Sequence, residues 1–364
     1  MASTVFKRDE VLILLGAGAS IEAGIPDSAS MVREIELGVG LTASPWVDYR
    51  PLYHYIRSSI YFADGLDGLF GDRVSFNIER LVNALDELRK KEKHPLYPFV
   101  GAWNPKLLEV AGRDFDQVRS FRTEIVKTLR ETWVALEKSE EAAYYGGLTR
   151  FQQELEYPLR VFSLSYDLCV EKVCGDTNVQ RGFDSRRWDW RLFNETSDDT
   201  ASILLYKLHG SIDWRIENGR VTYSDAPSSI LEDDLALIFG STYKLQYVDP
   251  FLFLAYELRR WTLDEARVIV AIGYGFGDEH INGILQQSLR ESSDRRLLAV
   301  VAPGTNEASD VARISSLLLA GADQVVVKAS GAKKFLAEEL TVENLAELFP
   351  AELDLIPELP SPKA

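Results

Sequence analysis

Cysteine is nearly missing from this 364-residue sequence, which carries only Cys169 and Cys174. Two such thiols cannot supply a four-cysteine zinc site, and they offer no disulfide framework, so the chain reads as a protein of a reducing compartment. The histidines at 54, 94, 209 and 280 show no zinc spacing either, and no metal site is expected. Positive charge is also short, with 40 Lys and Arg against 56 Asp and Glu and a net charge of −16. Duplex affinity comes mainly from neutralising phosphates, so a DNA-coating surface is disfavoured and any DNA contact is expected to be weak or through a partner. The basic stretch Arg119 to Arg130 reads as a solvated helix face. No run approaches the roughly 20 apolar residues that span a bilayer, and "MASTVFKRDE" lacks the basic-then-apolar plan of a signal peptide. The expectation is a cytoplasmic protein without a membrane role.

What is present is ordinary globular material, 46% hydrophobic and 26% charged. Val11–Leu15 is a short apolar run ended by glycine, the pattern of a buried parallel strand. Similar runs recur at Leu159–Leu164, at Ile203–Trp214, where the run ends at a His-Gly pair, and at Arg267–Leu285, Arg296–Asn306 and Gln324–Ala329. Repeated strand-to-helix units predict an α/β, Rossmann-like doubly wound parallel sheet. Between about Ser44 and Gln153 the texture changes to helix formers. The clearest helix, Phe76–Lys91, carries Ile78, Leu81, Val82, Leu85 and Leu88 on one stripe. Breaks at Pro95, Pro98, Pro105 and Gly146-Gly147 divide this region. The predicted organisation is a discontinuous nucleotide-binding domain (1–43 and 154–345), a helical insertion or lid (44–153), and an acidic, proline-rich tail (346–364). Trp188 and Trp190 read as packing residues, and the Asp233-Asp234 pair as a solvated loop.

Chemistry concentrates in "GAGASIEAGIPDS". Gly16-Ala17-Gly18 lacks the full GxGxxG spacing, because Ile21 stands where the third glycine would be, and no Gly-Lys-Ser/Thr makes it a P-loop. A glycine turn before a helix still presents backbone N–H groups to a diphosphate. Asp27, in a Pro-Asp-Ser turn, is either a helix cap or a pocket residue. The continuation resembles the first signature of sirtuin-like proteins, and the resemblance recurs in order at "KLHGSIDW" and "IGYGFGDEHIN". "FNIERLV", with Glu79, and the region of Lys244 are similar to what surrounds the site in bacterial relatives.

The resemblance implies that Gly16, Ala17, Gly18, Ser20, Ile25, Pro26 and Asp27 hold the diphosphate and nicotinamide side of NAD. It implies that His209 is the catalytic histidine, with Gly210 beside it, and that Gly273, Tyr274, Gly275, Asp278 and His280 line the adenosine side. By position in "GDEHIN", Asp278 and His280 read more readily as residues that cap and stabilise a helix start. "FSLSYDLCVEK" departs from the family pattern: Ser165 replaces the usual asparagine, while Asp167 is retained. Both are carried as catalytic candidates. The missing zinc ribbon argues against a protein deacetylase. The resemblance is to bacterial proteins that hydrolyse NAD in antiphage defence, and in particular to the subunit paired with a HerA-type DNA-translocating ATPase, with a homo-oligomer expected. On that view NAD is a substrate and no metal takes part. The alternatives are a non-catalytic NAD- or ADP-ribose-binding subunit, which Ser165 favours, and a nuclease subunit of the same complex. A dehydrogenase fits least, because the glycine spacing is wrong.

Overall fold

The computed structural model describes residues 6–92, 105–175, 177–194, 202–239, 249–321 and 323–350. Pro95, Pro98, Lys244 and the tail from 351 onward lie outside them. In chain order the strands are β1 (Val11–Leu15), β2 (Leu159–Ser163), β3 (Val179–Gln180), β4 (Phe183–Asp184), β5 (Arg187–Trp188) and β6 (Ile203–Lys207). They continue as β7 (Gly210–Glu217), β8 (Arg220–Tyr223), β9 (Leu235–Leu237), β10 (Val268–Ile272), β11 (Arg296–Val300) and β12 (Val325–Lys328). One parallel sheet runs β12-β11-β10-β1-β2-β6-β3, as the apolar runs predict. β1 lies mid-sheet, with β2 on one side and β10 on the other, so the strand order reverses there. Such a switch point opens a crevice at the carboxyl ends of the strands, where doubly wound sheets bind ligands.

Both faces of the sheet are buried, and the two-residue period of a strand sorts its side chains between two cores. Val11, Ile13 and Leu15 face one core; Leu12 and Leu14 face the other. Val268, Val270 and Ile272 on β10 join the first, while Ile269 and Ala271 join the second. The first core is covered by the segment between β1 and β2. Its helices are α1 (Ser28–Gly40), α2 (Arg50–Leu66), α3 (Ile78–Glu92), α4 (Pro105–Ala111), α5 (Asp116–Thr128) and α6 (Gly146–Leu155). They contribute Ile35, Leu52, Leu81, Phe121 and Phe151 among others. The predicted stripe of α3 points inward: Ile78, Leu81, Val82 and Leu85 are buried, with Leu88 packed at the margin. Each such aliphatic side chain contributes about 1.5–3 kcal/mol of transfer free energy. After β2 comes the short α7 (Cys169–Cys174). The second core is covered by α8 (Phe251–Asp264), α9 (Glu279–Glu291) and α10 (Glu307–Leu318), through Leu254, Leu258, Leu285 and Ile314.

Three features depart from the sequence reading. The run Ile203–Trp214 splits: β6 ends at Lys207, and after a turn β7 enters a separate antiparallel sheet, β4-β5-β8-β7-β9. Gly210 sits at the break with φ +84°, where a Cβ would lie 2.1 Å from the Ala236 carbonyl oxygen. Arg130 is buried rather than solvated, donating to the Ile230 carbonyl and to Glu232. β2 also carries a buried cation in its apolar run. Arg160 pairs with Asp9 at 2.8 Å, donates to the Tyr206 hydroxyl and lies over the Trp261 ring. Trp188 packs among Phe183, Phe193, Trp214 and Phe253, the packing role expected of it. Among the described residues no helix is long and apolar enough to cross a membrane.

Candidate functional site

The chain turns that follow β1, β2, β6 and β10 meet at the switch point and enclose a cavity of about 410 Å³, a size typical of small-molecule sites. Its floor is Gly16, Ala17 and Gly18 after β1, with Gly273, Tyr274 and Gly275 after β10. These two loops are pressed together. Gly16 N–H donates to the Ile272 carbonyl at 2.9 Å and Gly18 N–H to that of Gly273 at 3.0 Å. A Cβ on Gly16 would lie 2.4 Å, and one on Gly18 2.7 Å, from the Gly273 oxygen. Gly273 itself has φ +63°, and a Cβ there would come 2.1 Å from the Ala19 nitrogen. The glycines are required because two backbones touch. Gly16 caps, and Gly18 lies within, a 3₁₀ helix, Ala17–Ala23, closed by Gly24 at φ +84°; α1 starts at Ser28.

Asp27 is both of the things expected of it. Its carboxylate caps α1 by accepting from Ser30 N–H at 2.7 Å, and the residue lines the cavity. The opposite wall comes from the inserted helices. Val74, Ser75, Phe76 and Asn77 precede α3, Glu79 sits in its first turn, and all five line the cavity. The stretch "FNIERLV" therefore reaches the site, and Asn77 fixes its approach by accepting from Arg80 N–H at 3.0 Å.

His209, at the turn after β6, closes the cavity with Asp278. Its Nε2 lies 3.1 Å from Asp278 Oδ2. The other oxygen, Oδ1, caps α9 by accepting from His280 N–H at 3.0 Å and Ile281 N–H at 3.3 Å. Asp278 is thus a cap and a histidine partner at once. His209 is 4% exposed, and its Nδ1 has no hydrogen-bond partner among the described residues. If Nε2 carries the proton toward Asp278, Nδ1 presents a lone pair. Tyr274 anchors its loop by donating to Asn282 Oδ1 at 2.8 Å, and Asn282 donates to the Phe276 carbonyl at 2.9 Å. The loop thus depends on Asn282, a residue that the sequence reading left unassigned.

Other predicted site residues lie elsewhere, each for a physical reason. Asp167 is buried, and its carboxylate is held by donors from behind the cavity: Ser20 Oγ at 2.7 Å, Cys169 N–H at 2.9 Å and the Ser165 hydroxyl. Burial opposes its charge, yet Lys207 and these hydrogen bonds outweigh burial and keep its pKa below the ordinary carboxylate value. Ser165 and Ser20 spend their hydroxyls on this network, Ser20 also meeting the Tyr145 hydroxyl at 2.8 Å. None of these three lines the cavity; Ser165 and Asp167 form a buried brace under the loop with Ser20. Ile25 and Pro26 shape the turn before α1 without lining the cavity, and Gly210 meets the steric demand of Ala236. His280 is exposed and borders a neighbouring apolar cavity of about 340 Å³ with Leu208, Tyr256 and Ile284, which shares only His209 and Asp278 with the first. No group of three or more His, Cys, Asp or Glu is placed to hold a metal among the described residues.

Comparison with known proteins gives three findings. Residues 159–319 match the family model of the SIR2-like domain. That stretch contains His209 and the Gly273–Asp278 loop and leaves out Gly16–Gly18 and the α3 wall. No curated protein sequence matches the chain. Among solved structures, a histidine-to-asparagine mutant of a Sir2 homologue in complex with ADP-ribose is similar at TM-score 0.42 and 11% identity, over 96% of this chain and 97% of that one. A structure described as the basis for the mechanism and regulation of Sir2 enzymes is similar at the same score and identity, over 95% of each chain. Likeness at this level leaves the chemistry to be argued from the cavity's own residues.

Proposed function

We propose that this chain is an NAD glycohydrolase: it binds NAD in the glycine-floored cavity and hydrolyses the nicotinamide–ribose bond, with His209 as the base. The observation that carries the reading is the state of His209, buried in the cavity wall with Nε2 on Asp278 and Nδ1 without a partner. The floor supports it too, because Gly16, Ala17 and Gly18 line the cavity at the turn after β1 and offer a ligand little side-chain bulk. The cavity's charge favours cleavage over storage. Asp27, Glu79 and Asp278 line it, and no lysine or arginine is among its described lining residues. Nicotinamide leaves as a neutral ring when the C–N electron pair moves onto it, and positive charge then builds on the ribose. Carboxylates stabilise such an oxocarbenium-like state, as they do in glycosidases. Water adds its oxygen to the ribose carbon and gives its proton to His209 Nδ1, either directly or through a ribose hydroxyl, leaving ADP-ribose.

The wider role we propose rests on the sequence resemblance: NAD depletion in antiphage defence, as a homo-oligomer working in the cytoplasm beside a HerA-type ATPase that handles any DNA. A second reading, NAD or ADP-ribose binding without turnover, is favoured by one observation, the withdrawal of Ser165 from the cavity into the Asp167 brace. Nicotinamide release by the purified chain, with and without the ATPase, separates the two. Hydrolysis predicts release that falls about 10²- to 10⁴-fold in His209→Ala while NAD still binds. Undiminished release in His209→Ala, or binding with no release under either condition, overturns the hydrolase.

A further inference from the structure

A second cavity, of about 650 Å³, lies on the other side of the Asp167 loop and shares no lining residue with the first. At its base stand Glu171 on α7, Asp213 on β7 and Arg181 between β3 and β4. Glu171 is 4% exposed and Asp213 3% exposed. Both carboxylate oxygens of Glu171, and Oδ1 of Asp213, have no hydrogen-bond partner among the described residues. Burying a carboxylate without donors costs several kcal/mol, so acceptors left in this state call for an occupant.

The nearby cations do not meet the need. Arg181 Nη1 donates to Asp213 Oδ2 at 2.6 Å and remains 3.9 Å from Glu171 Oε1. Lys207 Nζ donates to the Asp167 carbonyl and stays 3.8 Å from the same Glu171 oxygen. At the rim, Lys172 Nζ is taken by the Leu136 carbonyl at 3.0 Å. Within this buried group the carboxylates of Glu171, Asp213 and Asp167 outnumber the cations Lys207 and Arg181 by one. With all three carboxylates ionised, a single positive charge that brings several N–H donors would balance them. A bare metal ion fits poorly, because no group of three or more His, Cys, Asp or Glu is placed to hold one among the described residues. A planar guanidinium fits, since its fork can engage both oxygens of one carboxylate. Leu136, Leu168 and Ile212 line the same cavity and give an aliphatic stem an apolar wall.

We infer that this cavity is a binding site for a small alkylguanidinium compound, held by the Glu171 carboxylate with Asp213 beside it. The site is independent of the NAD reading, and either can fail alone. The test is calorimetric titration of the full chain with n-butylguanidinium, set against its neutral isostere n-butylurea. Saturable one-to-one binding of the cation is expected, at least about tenfold weaker for the urea and for the Glu171→Gln and Asp213→Asn proteins. His209→Ala should bind the cation normally. Ser228→Trp, at the exposed mouth, blocks entry without touching a buried charge and keeps the test open if Glu171→Gln does not fold. Absence of saturable binding at millimolar probe, equal affinity for the urea, undiminished binding in Ser228→Trp, or crystals grown with the probe that show only ordered water at Glu171 would each overturn the site.

Discussion

At the glycine-floored cavity the backbone sets the shape, through strand ends that touch and a floor from which side chains are missing. At the Glu171 cavity charged side chains set it, buried and short of donors. The first tolerates no added atoms at Gly16, Gly18 or Gly273, because the atoms in the way are backbone. The second can absorb substitutions that keep volume, because its strain is electrostatic. The Asp167 brace joins them, with Ser20 and Ser165 on one side and Lys207, 3.8 Å from Glu171, on the other. A protein can thus build one cavity by steric exclusion and another by charge, and mutations should tell them apart.

The largest expected effect is at Gly273. Gly273→Val forces a β-branched residue to φ +63° and drives it into Ala19. We expect a loss of at least about 3 kcal/mol in urea unfolding, together with loss of NAD binding. Next comes Asp167→Asn, which removes a buried charge from Lys207 and should cost about 3 kcal/mol at neutral pH. Because its folded pKa is lowered, Asp167 contributes stability that is present above the ordinary aspartate value and lost as pH falls through the folded one. The variant should therefore lose less stability than the wild type in an acid titration followed by circular dichroism.

Glu171 has the opposite sign. Burial raises its pKa, against the pull of Lys207 and Arg181. Its contribution is full below the ordinary glutamate value and declines as pH rises toward the folded one. In the absence of ligand, Glu171→Gln should stay within about 1 kcal/mol of wild type at neutral pH and flatten that decline. A large loss at neutral pH would show that Glu171 is fully paired and would erase the contrast between the cavities. The smallest effect is expected two residues past Gly273. Nothing lies within 4 Å of a Cβ on Gly275, and no positive φ applies. Gly275→Ala should change stability by no more than about 0.5 kcal/mol, and its effect should appear only in NAD affinity.

Much of the scaffold was legible. The apolar runs at Val11–Leu15, Arg267–Leu285 and Arg296–Asn306 each contain a strand of the parallel sheet, and the stripe on α3 is buried as its spacing implies. The run through His209 was legible as a strand that stops at the His-Gly pair, but hydrophobicity alone does not reveal that Gly210 turns the chain into a second sheet. The glycine turn after β1 was legible as a turn, but that Gly16 and Gly18 are demanded by contact with Gly273 was not, since that partner lies more than 250 residues away in the chain. At Ser165 and Asp167 the place after β2 was legible, but the direction was not: their side chains bond to each other and to Ser20. Lys207, Asp213 and Asn282 lie inside the segments that carry the resemblance yet drew no role, and Arg181 drew none either, because a linear pattern does not say which polar side chains will be buried together.

The sequence by itself determined where strands form and where they must stop, because strand period, apolar burial and glycine geometry act over a few neighbouring residues. It also determined that α3 has a face to bury. Which charges ended up in the dark was decided by the tertiary structure alone. Arg181 reaches Asp213, and Lys207 comes within 3.8 Å of Glu171, only after distant segments have packed and expelled water. An ion pair's energy depends on separation and on the surrounding dielectric, and neither quantity exists along a linear chain.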